Sequence, residues 1–134
     1  MIKINSVCII DDDPITVFGM RKMLDSLVTY NVLNTFENGK IAIEAIKEML
    51  FSGQDIPEVI FLDINMPIMD GWQFLEEFIA LSIENKICIN IITSSIDSAD
   101  EKNWRHYKSK THHTVTYNHK PFRKIEIEKM LKVA

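Results

Sequence analysis

The sequence predicts a doubly wound α/β domain built on a five-stranded parallel sheet. Three observations predict it. Short apolar runs alternate with segments whose apolar residues recur at helical spacing, and the pair repeats five times. The first run, Ser6–Ile10, is nearly continuously apolar, the mark of a strand buried on both faces. No linker, repeat or low-complexity tract interrupts the alternation. Buried strands alternating with helices imply a parallel sheet covered on both sides, and right-handed crossovers restrict its topology.

The elements follow in order. After Ser6–Ile10, Asp13-Pro14 reads as a helix start, with an Asp cap and Pro at the first helical position. Val17, Met20, Met23, Leu24 and Leu27 then keep helical spacing. Val32–Phe36 is the second strand, and Asn38-Gly39 is a turn signal. Ile41, Ala42, Ala45, Ile46, Met49 and Leu50 mark a second helix. Val59–Leu62 is the third strand, and Gly71–Leu81 a helix with Trp72, Leu75, Phe78 and Ile79 on one face. Ile87–Ile92 is the fourth strand. Ser98–Tyr107 is a polar helix anchored by Ala99, Trp104 and Tyr107. Thr114–Asn118, β-branched and aromatic, is the fifth strand. Arg123–Val133 closes the chain as a helix with Ile127, Met130 and Leu131 facing in.

The 134 residues are near the usual size of one domain. A 46% hydrophobic and 25% charged composition is that of a globular chain and argues against disorder. The net charge of −4 argues against a nucleic-acid surface as the main function. Cys8 and Cys88 sit in apolar runs and read as buried reduced thiols. The first apolar stretch ends in three aspartates, unlike a signal peptide, and no run approaches the length of a membrane helix. A cytoplasmic location is expected.

In such sheets, ligands bind outside the carboxyl ends of the strands. The first strand ends in Asp11-Asp12-Asp13, the third in Asp63, the fourth in Thr93-Ser94-Ser95 and the fifth in His119-Lys120-Pro121. Each has a bland reading: Asp13 as a helix cap, Asp63 as a turn residue, Thr93 as a cap, Lys120 as a surface lysine. Once Asp13 caps the helix, Asp11 and Asp12 have no structural role. Two carboxylates ~4 Å apart repel by roughly 4 kcal/mol at an effective dielectric near 20. Gathering Asp11, Asp12 and Asp63 therefore requires positive charge. Lys120 supplies one unit and a divalent cation the rest, and an all-oxygen ligand set favours Mg2+. These groups suit phosphoryl transfer. Asp63 is the nucleophile that forms an acyl phosphate. Mg2+, held by Asp12 and Asp63 and through water by Asp11, neutralises developing charge. Lys120 pairs with a phosphoryl oxygen, and Thr93 donates its hydroxyl to another.

Four blocks, VCIIDDDP, VIFLDINMPIMDGW, INIITSS and YNHKPF, end strands one, three, four and five. From Val7 to about Val133 the chain resembles the response-regulator receiver domains of two-component signalling, of the stand-alone, CheY-like type. The resemblance implies a flavodoxin-like (βα)5 fold with strand order 2-1-3-4-5 and phosphorylation of Asp63 by a histidine kinase or histidine phosphotransfer protein. It implies Asp11 and Asp12 as the acidic pair, with Asp12 a direct metal ligand and the Asn65 backbone carbonyl completing the set. It also implies a cis peptide between Lys120 and Pro121, and Tyr117 as the aromatic that turns inward when Thr93 moves toward the phosphate. The chain departs from the usual pattern between Thr93 and Lys120, where a few extra residues fall in Lys108–His113; this segment reads as a solvated loop.

Residues 1–134 are thus expected to form one receiver with no output domain, acting through an unidentified downstream protein or a phosphorelay rather than on DNA or a membrane, and catalysing only its own phosphorylation and dephosphorylation. A receiver cut from a longer regulator or hybrid kinase is the alternative. A small-molecule phosphatase is disfavoured because Asn65 stands where such enzymes carry a second acid. A flavodoxin-like cofactor binder is disfavoured because it needs a phosphate-cradling loop after the first strand, where Asp11–Asp13 would repel phosphate unless a metal intervened. The complete acidic set argues against a phosphorylation-independent binding module.

Overall fold

The computed structural model describes residues 1–132. The elements run β1 (Ile2–Ile10), α1 (Pro14–Leu27), β2 (Val28–Phe36), α2 (Gly39–Phe51), β3 (Val59–Asp63), α3 (Gly71–Ile79), β4 (Cys88–Thr93), α4 (Ser98–Lys108), β5 (Thr114–His119) and α5 (Lys124–Lys132). Every strand pairing is parallel, in the order β2-β1-β3-β4-β5. This is the doubly wound sheet that the alternation predicts. The expected last helical residue, Val133, lies outside the described residues.

The sheet separates two apolar layers. On one side Met20, Leu24 and Leu27 of α1 and Ile127, Met130 and Leu131 of α5 pack on Val7, Ile9, Phe61 and Ile92. On the other, α2 and α3 bring Ala42, Ile43, Ile46, Phe74, Leu75 and Phe78 against Cys8, Ile10, Ile60, Leu62 and Ile91. Both faces of β3 and β4 are thereby covered, which is why every residue of those strands is buried.

The first two strands are longer than Ser6–Ile10 and Val32–Phe36. Their added residues pair with each other, from Ile2↔Val28 to Ile4↔Tyr30, while β3 joins β1 only from Val7 on. The alternation of faces slips once in each strand: Ile4, Val7 and Ile9 share a face, as do Val28, Tyr30 and Leu33. The slips fall side by side, at Asn5 and Asn31, where the Asn31 amide donates to Asn5 Oδ1 at 2.8 Å. Matched slips preserve the register and hide the extension from a simple apolar pattern.

Helix details also differ from the sequence reading. In α2, Ile43 is buried, whereas Ile41 is 46% exposed and Leu50 37%. The α3 helix ends at Ile79 and buries Phe74. The α4 helix has no buried residue, and Ala99, an expected anchor, is exposed. Its first turn points to solvent, and its hold on the domain comes from half-buried Asp100, Trp104 and Tyr107. Within Lys108–His113, Lys108 and Lys110 are solvated as expected, but His113 is 5% exposed.

Candidate functional site

Four strand ends and one loop build the site. Ile10 and Leu62 are register partners, so Asp11 and Asp63 leave neighbouring strands at the same level. Asp63 pairs in register with Ile92, which sets Thr93 one step further along β4. Thr93 pairs with His119, and its carbonyl accepts the Lys120 backbone N–H at 2.7 Å. Through this contact the segment of unusual length still delivers Lys120 to the correct place.

Carboxylate oxygens of Asp11, Asp12 and Asp63 lie within 4.8 Å of one another. Asp11 and Asp63 are buried at 3% and 5% exposure, and Asp12 is open to solvent. The Lys120 ammonium donates to Asp11 Oδ2 at 2.9 Å and stands 3.8 Å from Asp63 Oδ1. It therefore sits on Asp11 and leaves Asp63 the less compensated acid. Burial pushes the Asp63 carboxyl up to about 6, and the Asp11 charge adds to that rise. Lys120 and the Asn65 backbone amide pull the other way, and a small push from Asp12 completes the balance.

Asp13 caps α1, accepting the Ile15 N–H at 3.0 Å, with Pro14 in the first turn. Asp11 has a structural role that the sequence reading did not give it. Its Oδ1 accepts the Asp13 N–H at 2.9 Å and so shapes the turn that presents Asp12. The β3–α3 loop is held by Asp70, which forms a reciprocal capping box with Gln73. Gly71 follows because no side chain fits: a Cβ there would meet the Asp63 carbonyl at 2.5 Å and Ile64 Cα at 2.7 Å. The Asp-Gly pair beside Asp63 thus has a backbone reason. Asn65 is exposed in this loop.

Thr93 is fully buried, and its Oγ1 accepts the Ser95 N–H at 2.9 Å. Tyr117 is half-buried, its ring stacked on Trp104 at 5.6 Å. The peptide between Lys120 and Pro121 is cis, as the resemblance implies. The predicted strand-end residues Asp11, Asp63, Thr93 and Lys120 therefore lie at the same end of the sheet, with Tyr117 on β5, the strand that leads into Lys120. Sequence reasoning missed the polar residues behind Thr93. Ser95 donates to Asp100 Oδ2 at 2.6 Å, and Asp100 Oδ1 accepts the Trp72 indole N–H at 3.0 Å. Spacing along one chain gives no signal for such a link across two helices.

The donor set is hard and anionic, three carboxylates with no thiolate or imidazole among them, and fits a divalent cation of the magnesium class. Among the described residues, no helix is long and apolar enough to cross a membrane.

The family model of the response regulator receiver domain matches residues 7–132. A two-component response regulator from Cytophaga hutchinsonii is 26% identical and superposes with a TM-score of 0.79, covering 98% of this chain and 96% of that one. The receiver domain of a Pseudomonas aeruginosa sensor histidine kinase, solved with magnesium coordinated in its active-site cleft, is 21% identical with a TM-score of 0.75, covering 96% and 95%. Among curated proteins, a protein-glutamate methylesterase/protein-glutamine glutaminase of Methanococcoides burtonii is 40% identical over 63 residues, 47% of this chain and 16% of the relative. A second such protein, from Methanospirillum hungatei, is 30% identical over 95 residues, 71% of this chain and 24% of the relative. The chain spans only that small share of the curated relatives' length.

Proposed function

This chain is a receiver domain of two-component signalling and belongs to the response regulator receiver domain family, and we propose that Asp63 accepts a phosphoryl group from a phosphohistidine. One observation carries the reading: Asp11, Asp12 and Asp63 gather within 4.8 Å, with Lys120 as the ammonium that meets two of them. An Asp63 oxygen attacks phosphorus and forms the O–P bond. The P–N bond of the donor breaks, its electron pair stays on the imidazole nitrogen, and solvent supplies the proton that neutralises it. Lys120 is within reach to shift from Asp11 to a phosphoryl oxygen. Thr93, whose oxygen accepts the Ser95 N–H, donates its hydroxyl proton to another phosphoryl oxygen as it moves toward the phosphate.

Asp12, Asp63 and the Asn65 carbonyl would hold the cation, with Asp11 reached through water. A bound divalent cation supplies neutralisation of charge on the phosphoryl oxygens. Tyr117 responds to the movement of Thr93. The donor is a sensor histidine kinase or a histidine phosphotransfer protein. Residues 1–134 act as one receiver unit in the cytoplasm, where Cys8 and Cys88 stay as free thiols. Output is phosphorylation-dependent binding of a downstream protein, or onward phosphorelay. The second reading, a receiver that is part of a longer regulator, is favoured by the small share of the curated relatives that the chain spans.

The test is incubation with a small phosphodonor, with and without Mg2+, followed by intact-mass measurement. Wild type gains one phosphoryl group only with metal, and Asp63→Asn gains none. An unchanged wild-type mass, or a gain retained in Asp63→Asn, overturns the assignment.

A further inference from the structure

A continuous polar path leads away from Thr93 through the β4–α4 loop. Thr93 Oγ1 accepts the Ser95 N–H at 2.9 Å. The Ser95 hydroxyl donates to Asp100 Oδ2 at 2.6 Å and accepts the Asp97 N–H at 3.2 Å. Asp97 is the cap of α4, its carboxylate accepting the Ala99 N–H at 2.9 Å. The other Asp100 oxygen accepts the Trp72 indole N–H from α3 at 3.0 Å. The Trp72 ring then stacks on Tyr107 of α4, 5.9 Å between centroids and 11° from parallel. Ser95, Asp100, Trp72 and Tyr107 are half-buried, Asp97 is exposed, and the path ends where α3 meets α4.

The second tryptophan gives the contrast. Trp104 donates its indole N–H to the Val115 carbonyl at 2.9 Å and stacks on Tyr117. It reports on β5 and has no hydrogen bond to the β4–α4 loop. The α4 helix, with no buried residue of its own, is thus held to β5 through Trp104 and to α3 through Trp72, while Ser95 ties its Asp100 to the β4–α4 loop.

We propose that Ser95 and Asp100 are positioning residues that tie the Thr93 hydroxyl to Trp72, so that the state of the acceptor site is read at the α3–α4 contact as well as at β5. The inference rests on the Asp63 reading. When the Thr93 hydroxyl turns to donate to a phosphoryl oxygen, its oxygen leaves the position that Ser95 N–H now uses. Leaving the part-buried Ser95 N–H without an acceptor is unfavourable, so the loop follows Thr93 rather than losing the bond. Ser95 is the shared node: its backbone follows Thr93 and its side chain holds Asp100. Movement of Ser95 therefore loosens or re-aims the Asp100 carboxylate under the Trp72 indole. The two states of this contact constitute the bistable element that a switch requires.

The indole 1H–15N resonances test it. The chain has two tryptophans, so Trp104→Phe assigns the Trp72 signal. Wild type, Ser95→Ala, Ser95→Thr and Asp100→Ala are each incubated with Mg2+ and a small phosphodonor. The intact mass of each sample is read, and spectra are compared for phosphorylated molecules only. The Trp72 resonance shifts on phosphorylation in wild type and in Ser95→Thr, which keeps the hydroxyl. The shift is lost in Ser95→Ala and Asp100→Ala, while the Trp104 signal still moves. A phosphorylated wild type with an unmoved Trp72 signal overturns the relay alone, as does a wild-type-like shift in Ser95→Ala. No mass gain in any protein overturns the Asp63 reading and the relay with it.

Discussion

The two ends of the sheet each bury an ionisable side chain, and they do so to opposite effect. At the carboxyl end, Asp63 is 5% exposed and its carboxyl is pushed up to about 6. At the amino end, His113 is also 5% exposed and its imidazole is pushed down to about 4, chiefly by burial and then by His112 beside it. Burial favours the neutral form in both cases. The surroundings differ. His113 has its needs met: Nδ1 accepts the Ile87 N–H at 3.0 Å, and the ring packs on Phe78 at 5.3 Å. Asp63 faces two more carboxylates and an ammonium that has gone to its neighbour. A shifted ionisation marks burial; function is marked by the neighbours left uncompensated.

Opposite shifts give opposite pH dependence, which separates the ends most sharply. Asp63 is raised from 3.8 to about 6. Between those values the folded state holds the proton more tightly, so its contribution to stability falls as pH rises through the window. His113 is lowered from 6.5 to about 4. There the unfolded state binds more protons, so stability is lost as pH falls through the window. Each swing is up to about 3 kcal/mol at 1.36 kcal/mol per unit. In metal-free buffer the two oppose each other in wild type between pH 6.5 and 4. Asp63→Asn removes one arm and becomes steeply less stable on acidification over that range. His113→Asn keeps an acceptor for Ile87 and does the reverse. Equal slopes in the two variants break the comparison.

Metal should act at one end only. At 100 times its dissociation constant a ligand that binds only the folded state stabilises it by about 2.7 kcal/mol. Saturating Mg2+ at pH 7.5 therefore raises the urea midpoint of wild type and of His113→Asn alike. Asp12→Asn loses most of that gain. Asp12 is exposed, so this substitution leaves the metal-free midpoint close to wild type. An equal Mg2+ gain in Asp12→Asn places the cation elsewhere.

The carboxyl end was far more legible in the sequence than the amino end. Asp11, Asp63 and Thr93 each end or follow an apolar run that fixes their level in the sheet, and Lys120 follows a β-branched and aromatic strand, so linear order translates directly into a cluster. The helix cap at Asp13 and the signal at Asn38-Gly39, where α2 begins, follow local rules of the same kind. His113 offered no such signal. It lies in a polar segment, and its burial depends on the β4–α3 side of the core closing over it. Likewise, the extension of β1 and β2 is hidden where both strands slip face at Asn5 and Asn31. Ser95, Asp100 and Trp72 belong to a loop and two helices, and their meeting depends on helix placement that one chain's spacing does not encode.

The smallest effect is expected at an ion pair that belongs to neither end. Lys47 of α2 meets Glu77 of α3 at 3.1 Å, with side chains 50% and 40% exposed. Lys120 meets Asp11 at almost the same distance, 2.9 Å, with side chains 18% and 0% exposed. Distance alone would rank them together. Solvent screens the first pair, so a double-mutant cycle on Lys47→Ala and Glu77→Ala gives a coupling of about 0.2–1 kcal/mol that shrinks with added salt. The Lys120–Asp11 pair has one partner wholly out of water and a third charge within reach. Its cycle, Lys120→Met with Asp11→Asn in metal-free buffer, gives the larger coupling and the weaker salt dependence. Part of that coupling passes to Asp63, because Lys120 freed from Asp11 has another carboxylate 3.8 Å away. The cycle repeated in an Asp63→Asn background separates that share. If the two pairs prove equal, the site's acids are as well hydrated as a surface, and the raised Asp63 carboxyl loses its physical cause.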